Sequence, residues 1–82
     1  SEQLADGGAS PLEQAIGSEN HARYEAALAE LRDEDREAIV LRVELQYDYE
    51  DLAVALGKPT ANAARVAVAR ALRRLAHQMR LS

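Results

Sequence analysis

A tight break between two helix-forming segments constrains this chain more than any other feature. Gly57-Lys58-Pro59 follows a short apolar segment, and neither glycine nor proline occurs after it. Glycine is the usual residue at a left-handed helix end, and proline cannot continue a helix. Thr60 can cap a final helix that extends to about Met79. The sequence therefore predicts a short helix, a tight turn and a long helix, which is the arrangement of a helix-turn-helix.

Capping residues predict three helices before this break. Residues 10–13 place a serine, a proline and a glutamate as a capping box requires, so a first helix begins there, although Gly17-Ser18 can bend it. Asp33 is predicted to cap a second helix, and Asp48 a third that Gly57 ends. Apolar spacing makes the second helix central to the core through Ile39, Val40, Val43 and Leu45.

The composition agrees with an all-α domain. Aromatic residues make up 4% of the 82 residues and cysteine is absent, so the core has to be built from Leu, Val, Ile and Ala. At this size such a core favours packed helices. The absence of cysteine excludes disulfides and thiol catalysis, and it fits a reducing cytoplasm. No apolar run is long enough for a signal peptide or membrane span, so we expect a soluble cytoplasmic protein.

Charge is divided sharply along the chain. Residues 1–56 hold all 14 acidic and four basic residues, a net charge of −10, whereas residues 57–82 hold six basic residues and no acid, a net charge of +6. A surface that binds phosphate needs positive potential locally, within a Debye length of about 8 Å, rather than over the whole protein. The last third of the chain meets that need. The plainer alternative is that the two halves only improve solubility or pair with each other.

The final helix separates into two faces at 100° per residue. Its predicted inner face packs on Leu52, Leu56 and Ile39 and consists of Ala64, Val68, Ala71, Leu75 and Met79. Its predicted outer face consists of Asn62, Val66, Ala69, Arg70 and Arg73. An amide suits adenine, small apolar groups suit thymine methyls, and guanidiniums suit guanine or phosphate. Arg65, at the flank, suits a backbone phosphate, and Lys58 and Thr60 complete the predicted DNA-binding site.

A solvated helix whose arginines serve only solubility is the alternative for this segment. Two features of the sequence weigh against that alternative. No Asp or Glu accompanies the arginines, whereas exposed helices usually interleave both signs at i,i+4 spacing. Ala63, Ala67 and Ala69 are also small enough to let a helix backbone approach a groove closely.

Two consecutive blocks resemble region four of the extracytoplasmic-function sigma factors. Residues 27–42 are similar to the family pattern ALxxLpxxxREvivLR, and residues 49–59 to sxeEIAexLGxp. The later pattern xGTVxSRLxRARxxL fits less closely, because one extra residue lies near 60–62 and Val66-Ala67 replaces the usual Ser-Arg pair. Aligned backwards from Leu75, Arg70-Ala71 matches the pattern's RA and Val68 its buried leucine.

The resemblance implies a four-helix, winged-helix-like domain of the sigma region-four type that reads the −35 promoter element on double-stranded DNA. It implies attachment to core RNA polymerase through the β-subunit flap, and a possible anti-sigma partner. It also implies a separate region-two domain, absent from these 82 residues. We accordingly expect residues 1–10 to be a flexible interdomain linker and residues 11–82 the domain, with the helix-turn-helix at about 48–79.

Other functions receive less support from the residues. The acidic groups at 33–35 and 48–51 lie at predicted helix starts, where capping and dipole effects explain them without catalysis. His21 and His77 have no third ligand at metal spacing, and no cofactor is implied. A different helix-turn-helix regulator would usually need a dimer to read two half-sites, whereas we expect a monomer. A protein-interaction module using the acidic, apolar surface of residues 12–45 stays open.

Overall fold

A computed structural model describes the backbone of residues 11–81 and the side chains of residues 19–81. The predicted linker and the predicted Ser10 cap lie outside these residues. Four α-helices follow one another: α1 (Pro11–Ala29), α2 (Asp33–Ile39), α3 (Tyr49–Leu56) and α4 (Ala61–Leu81). A π-helical turn, called the π segment here, continues α2 over Val40–Glu44.

The predicted all-α, four-helix fold is confirmed. The described backbone contains no β-strand, so the helix-turn-helix has no β wing within residues 11–81. Helix α1 continues through Gly17 and Ser18 without a break, and α4 ends two residues beyond the predicted Met79. Within residues 11–81, no helix combines the length and the apolar character needed to cross a membrane.

The core is centred on Ile39 and Leu52, which are both fully buried. Helices α2 and α3 contribute these side chains, and α4 covers both. Every residue predicted for the inner face of α4 is buried or partly buried, with only Met79 partly exposed. Ala64 and Ala71 are completely buried at this interface. The apolar spacing of α4 therefore predicted its packing face correctly.

The ends of α3 and the start of α4 follow the predicted capping pattern. Asp48 Oδ1 accepts a hydrogen bond from the Asp51 amide at 2.8 Å, which satisfies a free N–H group at the start of α3. Gly57 takes a left-handed conformation with φ of 68°, and the Lys58 amide donates to the Ala53 carbonyl at 2.8 Å. Thr60 Oγ1 accepts from the Ala63 amide at 3.0 Å. Local interactions therefore fix this turn.

The start of α2 differs from the prediction. Asp33 is the first helical residue and not the cap; Arg32 occupies the cap position in an extended conformation and makes no side-chain cap hydrogen bond. Asp33 instead accepts from Arg36 at 2.8 Å. Arg36 also donates to the carbonyl groups of Leu28 and Leu31, at 3.3 and 2.8 Å, near the end of α1. An arginine thus joins the two helices where a capping aspartate was predicted.

The predicted core role of Val43 and Leu45 is wrong. Val43 is 48% exposed and Leu45 59% exposed, whereas Ile39 is buried and Val40 is partly buried. In the π segment the backbone bonds from i to i+5, as in the bond from the Leu45 amide to the Val40 carbonyl at 3.0 Å. The wider turn changes which residues face the core, so a pattern based on 3.6 residues per turn fails after Val40.

A partly buried phenol joins α1 to the π segment. Tyr24 donates its hydroxyl hydrogen to Glu44 Oε2 at 2.8 Å. Burial, together with this hydrogen bond and the negative charge of Glu44, raises the pKa of Tyr24 to about 12. The phenol therefore stays neutral, as a hydrogen-bond donor, throughout the physiological pH range.

Candidate nucleic-acid interface

Helices α3 and α4 form a helix-turn-helix in which α4 is the more exposed helix. Leu52 and Ala53 of α3 are buried against the core, and the Gly57 turn leads directly into α4. Because Ala64, Val68 and Ala71 hold one face of α4 on the core, the opposite face is left to solvent. The fold thus places a long helix at the surface with its orientation fixed by packing.

The predicted DNA-contacting side chains lie mainly on this free face. Thr60 is also exposed, Lys58 and Ala69 are partly buried, and Val66 is 37% exposed. The remaining four predicted residues are exposed: Asn62, Arg65, Arg70 and Arg73. The structure therefore brings the predicted residues together along one side of α4 and the turn before it.

Asn62 and Arg65 form a pair at the start of this face. Arg65 Nη2 donates to Asn62 Oδ1 one helical turn away. Bidentate recognition of adenine needs the same amide oxygen as an acceptor. Because an amide oxygen has two lone pairs, Asn62 can accept from Arg65 and from a base at the same time.

Three arginines on this face carry charge that no carboxylate balances directly. Within the described part of the chain, no acidic side chain lies within 4.0 Å of the guanidinium groups of Arg65, Arg70 or Arg73. Exposed cations without a carboxylate partner can replace the counterions of a phosphate backbone. The arrangement can therefore bind a polyanion along the axis of α4.

Basic side chains that face α2, from α4 and from the turn before it, do have carboxylate partners. Arg74 Nη1 contacts Asp35 Oδ1 at 2.7 Å, and Lys58 Nζ lies 4.0 Å from Glu34 Oε2. Asp35 is only 4% exposed, and it also accepts from Arg32 Nε at 3.3 Å. Two basic residues of the last third of the chain therefore already have carboxylate partners.

Sequence reasoning missed the bridge between Asp35 and Arg74. Asp35 was interpreted only as a negative charge in the first turn of α2, where the helix dipole favours it. A signal was present, because Asp35 precedes the buried residues Ala38 and Ile39 by three and four positions, which places it on the core face of α2. The partner could not be identified in the same way, since it lies 39 residues further along the chain.

Two clefts lie beside α4. The smaller, of about 90 Å³, lies between α2 and α4 and is lined by Arg70, by Lys58 and Arg74, and by the carboxylate partners of these two. The larger, of about 470 Å³, is a broad depression beside Arg32, Arg73, Arg74 and His77. The described residues contain no group of three or more potential metal ligands. Charged side chains form part of the lining of both clefts.

Comparison with known protein families gives one match. The family model described as sigma-70, region 4 matches residues 21–75, which include α2, α3 and most of α4. No curated protein and no solved structure matches the chain significantly.

Proposed function

Since the chain belongs to the sigma-70 region 4 family, we propose that it binds the −35 element of promoter DNA as part of a sigma factor that directs RNA polymerase to start sites. In this proposal α4 enters the major groove and α3 supports it. The observation that carries the proposal is the exposed face of α4, where Arg65, Arg70 and Arg73 have no carboxylate partner among the described residues.

We assign roles along α4 according to the chemistry of each side chain. Asn62 and Arg70 read base edges, and Val66 and Ala69 contact thymine methyl groups. Thr60, Arg65 and Arg73 contact the phosphate backbone and fix the register of the helix on the duplex, and Lys58 reaches a phosphate only when it leaves Glu34. The extracytoplasmic-function class, a cytoplasmic location, a non-enzymatic role and action as a monomer belong to the same proposal, as does a domain that spans residues 11–82.

The test compares the DNA affinity of a variant that lacks Arg70 with that of a variant that lacks another exposed arginine of α4. A duplex selected from a randomised library by the wild-type domain, called the selected duplex here, would be titrated at low salt and followed by fluorescence anisotropy. Arg70→Ala should weaken binding by about 1–3 kcal/mol, roughly 5- to 150-fold, if the guanidinium reads a base. Arg80→Ala removes the same charge from the exposed last turn of α4, and it should weaken binding far less.

The two variants separate the possible explanations. Equal, small losses in both would show that Arg70 contributes only general charge. Unchanged affinity in both, together with affinity that ignores salt, would overturn the DNA-binding proposal.

Docking to a protein partner is a second part of the proposal. It is favoured by exposed apolar side chains in the π segment and in the residues just after it. Val43 and Leu45 are about half exposed and Tyr47 is 36% exposed, so a short stretch of chain presents three large apolar groups to solvent. Such groups suit the β-subunit flap of core polymerase or an anti-sigma protein.

Replacing Val43 and Leu45 together by serine tests the docking surface. The double variant should lose affinity for a purified flap fragment and keep the wild-type affinity for the selected duplex. Unchanged flap binding would place the docking surface elsewhere, whereas a loss of DNA affinity as well would indicate that the variant is misfolded.

A further inference from the structure

Two acidic residues of α2 form ion pairs with one basic residue of the turn before α4 and one of α4 itself. Asp35 contacts Arg74 at 2.7 Å, and Glu34 lies 4.0 Å from Lys58. The exposed face of α4 carries Arg65, Arg70 and Arg73 without such partners in residues 19–81. The positive charge of the last third of the chain is therefore present in two forms, one paired and one free.

The two pairs differ in how firmly they are held. Asp35 has a side chain 5% exposed and is fixed between the guanidinium groups of Arg32 and Arg74, whereas Glu34 is 62% exposed. Exposed pairs contribute little to stability, but a carboxylate beside a cation still competes with phosphate for it. Both carboxylates border the small cleft that also contains Arg70, so they lie next to the proposed DNA-binding face.

We propose that Glu34 and Asp35 are intramolecular counterions that hold Lys58 and Arg74 away from the DNA backbone and so limit how many phosphates the domain neutralises. The proposal rests on the DNA binding proposed above. Its consequence concerns specificity. Contacts with phosphate strengthen binding to every sequence alike, so keeping two cations paired lowers non-specific affinity without weakening base contacts.

Salt dependence gives a direct count of phosphate contacts. For duplex DNA the logarithm of the binding constant falls with the logarithm of salt concentration, with a slope of about −0.9 per phosphate neutralised. Glu34→Gln and Asp35→Asn keep the side-chain shape and remove the charge. Arg32 contacts both carboxylates and so keeps one of them in each variant, which leaves Lys58 as the freed cation in the first and Arg74 in the second. We expect each variant to steepen the slope by about 0.9 and to bind a scrambled duplex more tightly at low salt.

Glu37→Gln is the matched control. Glu37 is exposed on the same helix and has no ion-pair partner among the described side chains, so its replacement changes the net charge equally without releasing a cation. Its slope should equal that of the wild type. The double variant Asp35→Asn with Arg74→Gln should also return to the wild-type slope, because the released cation is then absent.

The outcomes distinguish this inference from the proposed function. If the wild-type domain binds duplexes with a measurable slope, and Glu34→Gln and Asp35→Asn behave like Glu37→Gln, the counterion role is wrong. Lower affinity and thermal stability in Asp35→Asn without a steeper slope would show a purely structural bridge. Glu34→Gln decides the question if Asp35→Asn does not fold. A wild-type domain that binds no duplex at any salt concentration would instead overturn the proposed function.

Discussion

The two connections on either side of α3 are built by different means. The turn from α3 to α4 is fixed by neighbouring residues, since Gly57 supplies the left-handed conformation and Thr60 caps the next helix. The connection from α2 to α3 departs from regular geometry through the π segment, and Gln46 takes a left-handed conformation with φ of 59°. Only the first connection uses residue types suited to its backbone.

Side chains from elsewhere hold the second connection in place. Arg42 donates to the Tyr47 carbonyl at 2.8 Å and lies 4.1 Å from the ring centre of Tyr49. Tyr24 of α1 reaches Glu44 of the π segment. The difference teaches that local sequence determines the turn that leads into the proposed DNA-reading helix, whereas tertiary contacts determine the segment that leaves apolar groups exposed.

The largest expected difference in stability is between variants of two leucines, one in α3 and one in the connection from α2 to α3. Leu52 is completely buried and Leu45 is 59% exposed. Leu52→Ala should lower the free energy of unfolding by about 2–5 kcal/mol, because it leaves a cavity in the centre of a small core. Leu45→Ala should cost less than about 0.5 kcal/mol. Urea denaturation followed by circular dichroism measures both, and similar losses would show that the exposure of Leu45 is misjudged.

Gly57→Ala and Gln46→Gly should change the stability of the domain in opposite directions. A Cβ at position 57 meets no atom within 4 Å, so Gly57→Ala should destabilise through backbone strain alone, by about 1 kcal/mol. Gln46→Gly should relieve similar strain, and the greater freedom of the unfolded chain offsets part of that gain. Thermal melting of both variants checks the signs. A stabilised Gly57→Ala would contradict the left-handed helix end.

The smallest expected effect separates two aspartates that both were predicted to be caps. Asp48 caps α3, so Asp48→Ala should cost about 1 kcal/mol. Asp33 is 98% exposed and makes only a surface ion pair with Arg36, so Asp33→Ala should cost about 0.3–0.5 kcal/mol. Chemical denaturation with replicate curves can resolve this difference. An equal loss in the two variants would restore a capping role for Asp33.

The fold was predictable from the sequence where helices end in specialised residues. Asp48, Gly57 and Thr60 correctly placed the ends of α3 and the start of α4, and regular spacing correctly gave the buried face of α4. The failures lie where a backbone change or a distant partner decides the outcome. No residue type is specific to a π-helical turn. The exposure of Val43 and Leu45 therefore could not be predicted from helical periodicity.

The candidate site was predictable in outline but not in its charge balance. Exposure of Asn62, Arg70 and Arg73 follows from the same periodicity that buries Val68. Pairing of Arg74 with Asp35 depends on the packing of α2 against α4, and no local pattern contains that information. Whether each exposed residue contacts a base or a phosphate is also a property of the complex, so those roles stay predictions.

An NMR titration of the labelled domain with the selected duplex at low salt shows directly whether α4 binds DNA. Amide shifts are followed residue by residue, with a scrambled duplex as the control. We expect the largest shifts on the turn before α4 and on its exposed face, at Lys58, Thr60, Asn62, Arg65, Val66, Arg70 and Arg73. Shifts confined to the π segment, or absent from α4 while the duplex is bound, would contradict the placement of α4 in the groove.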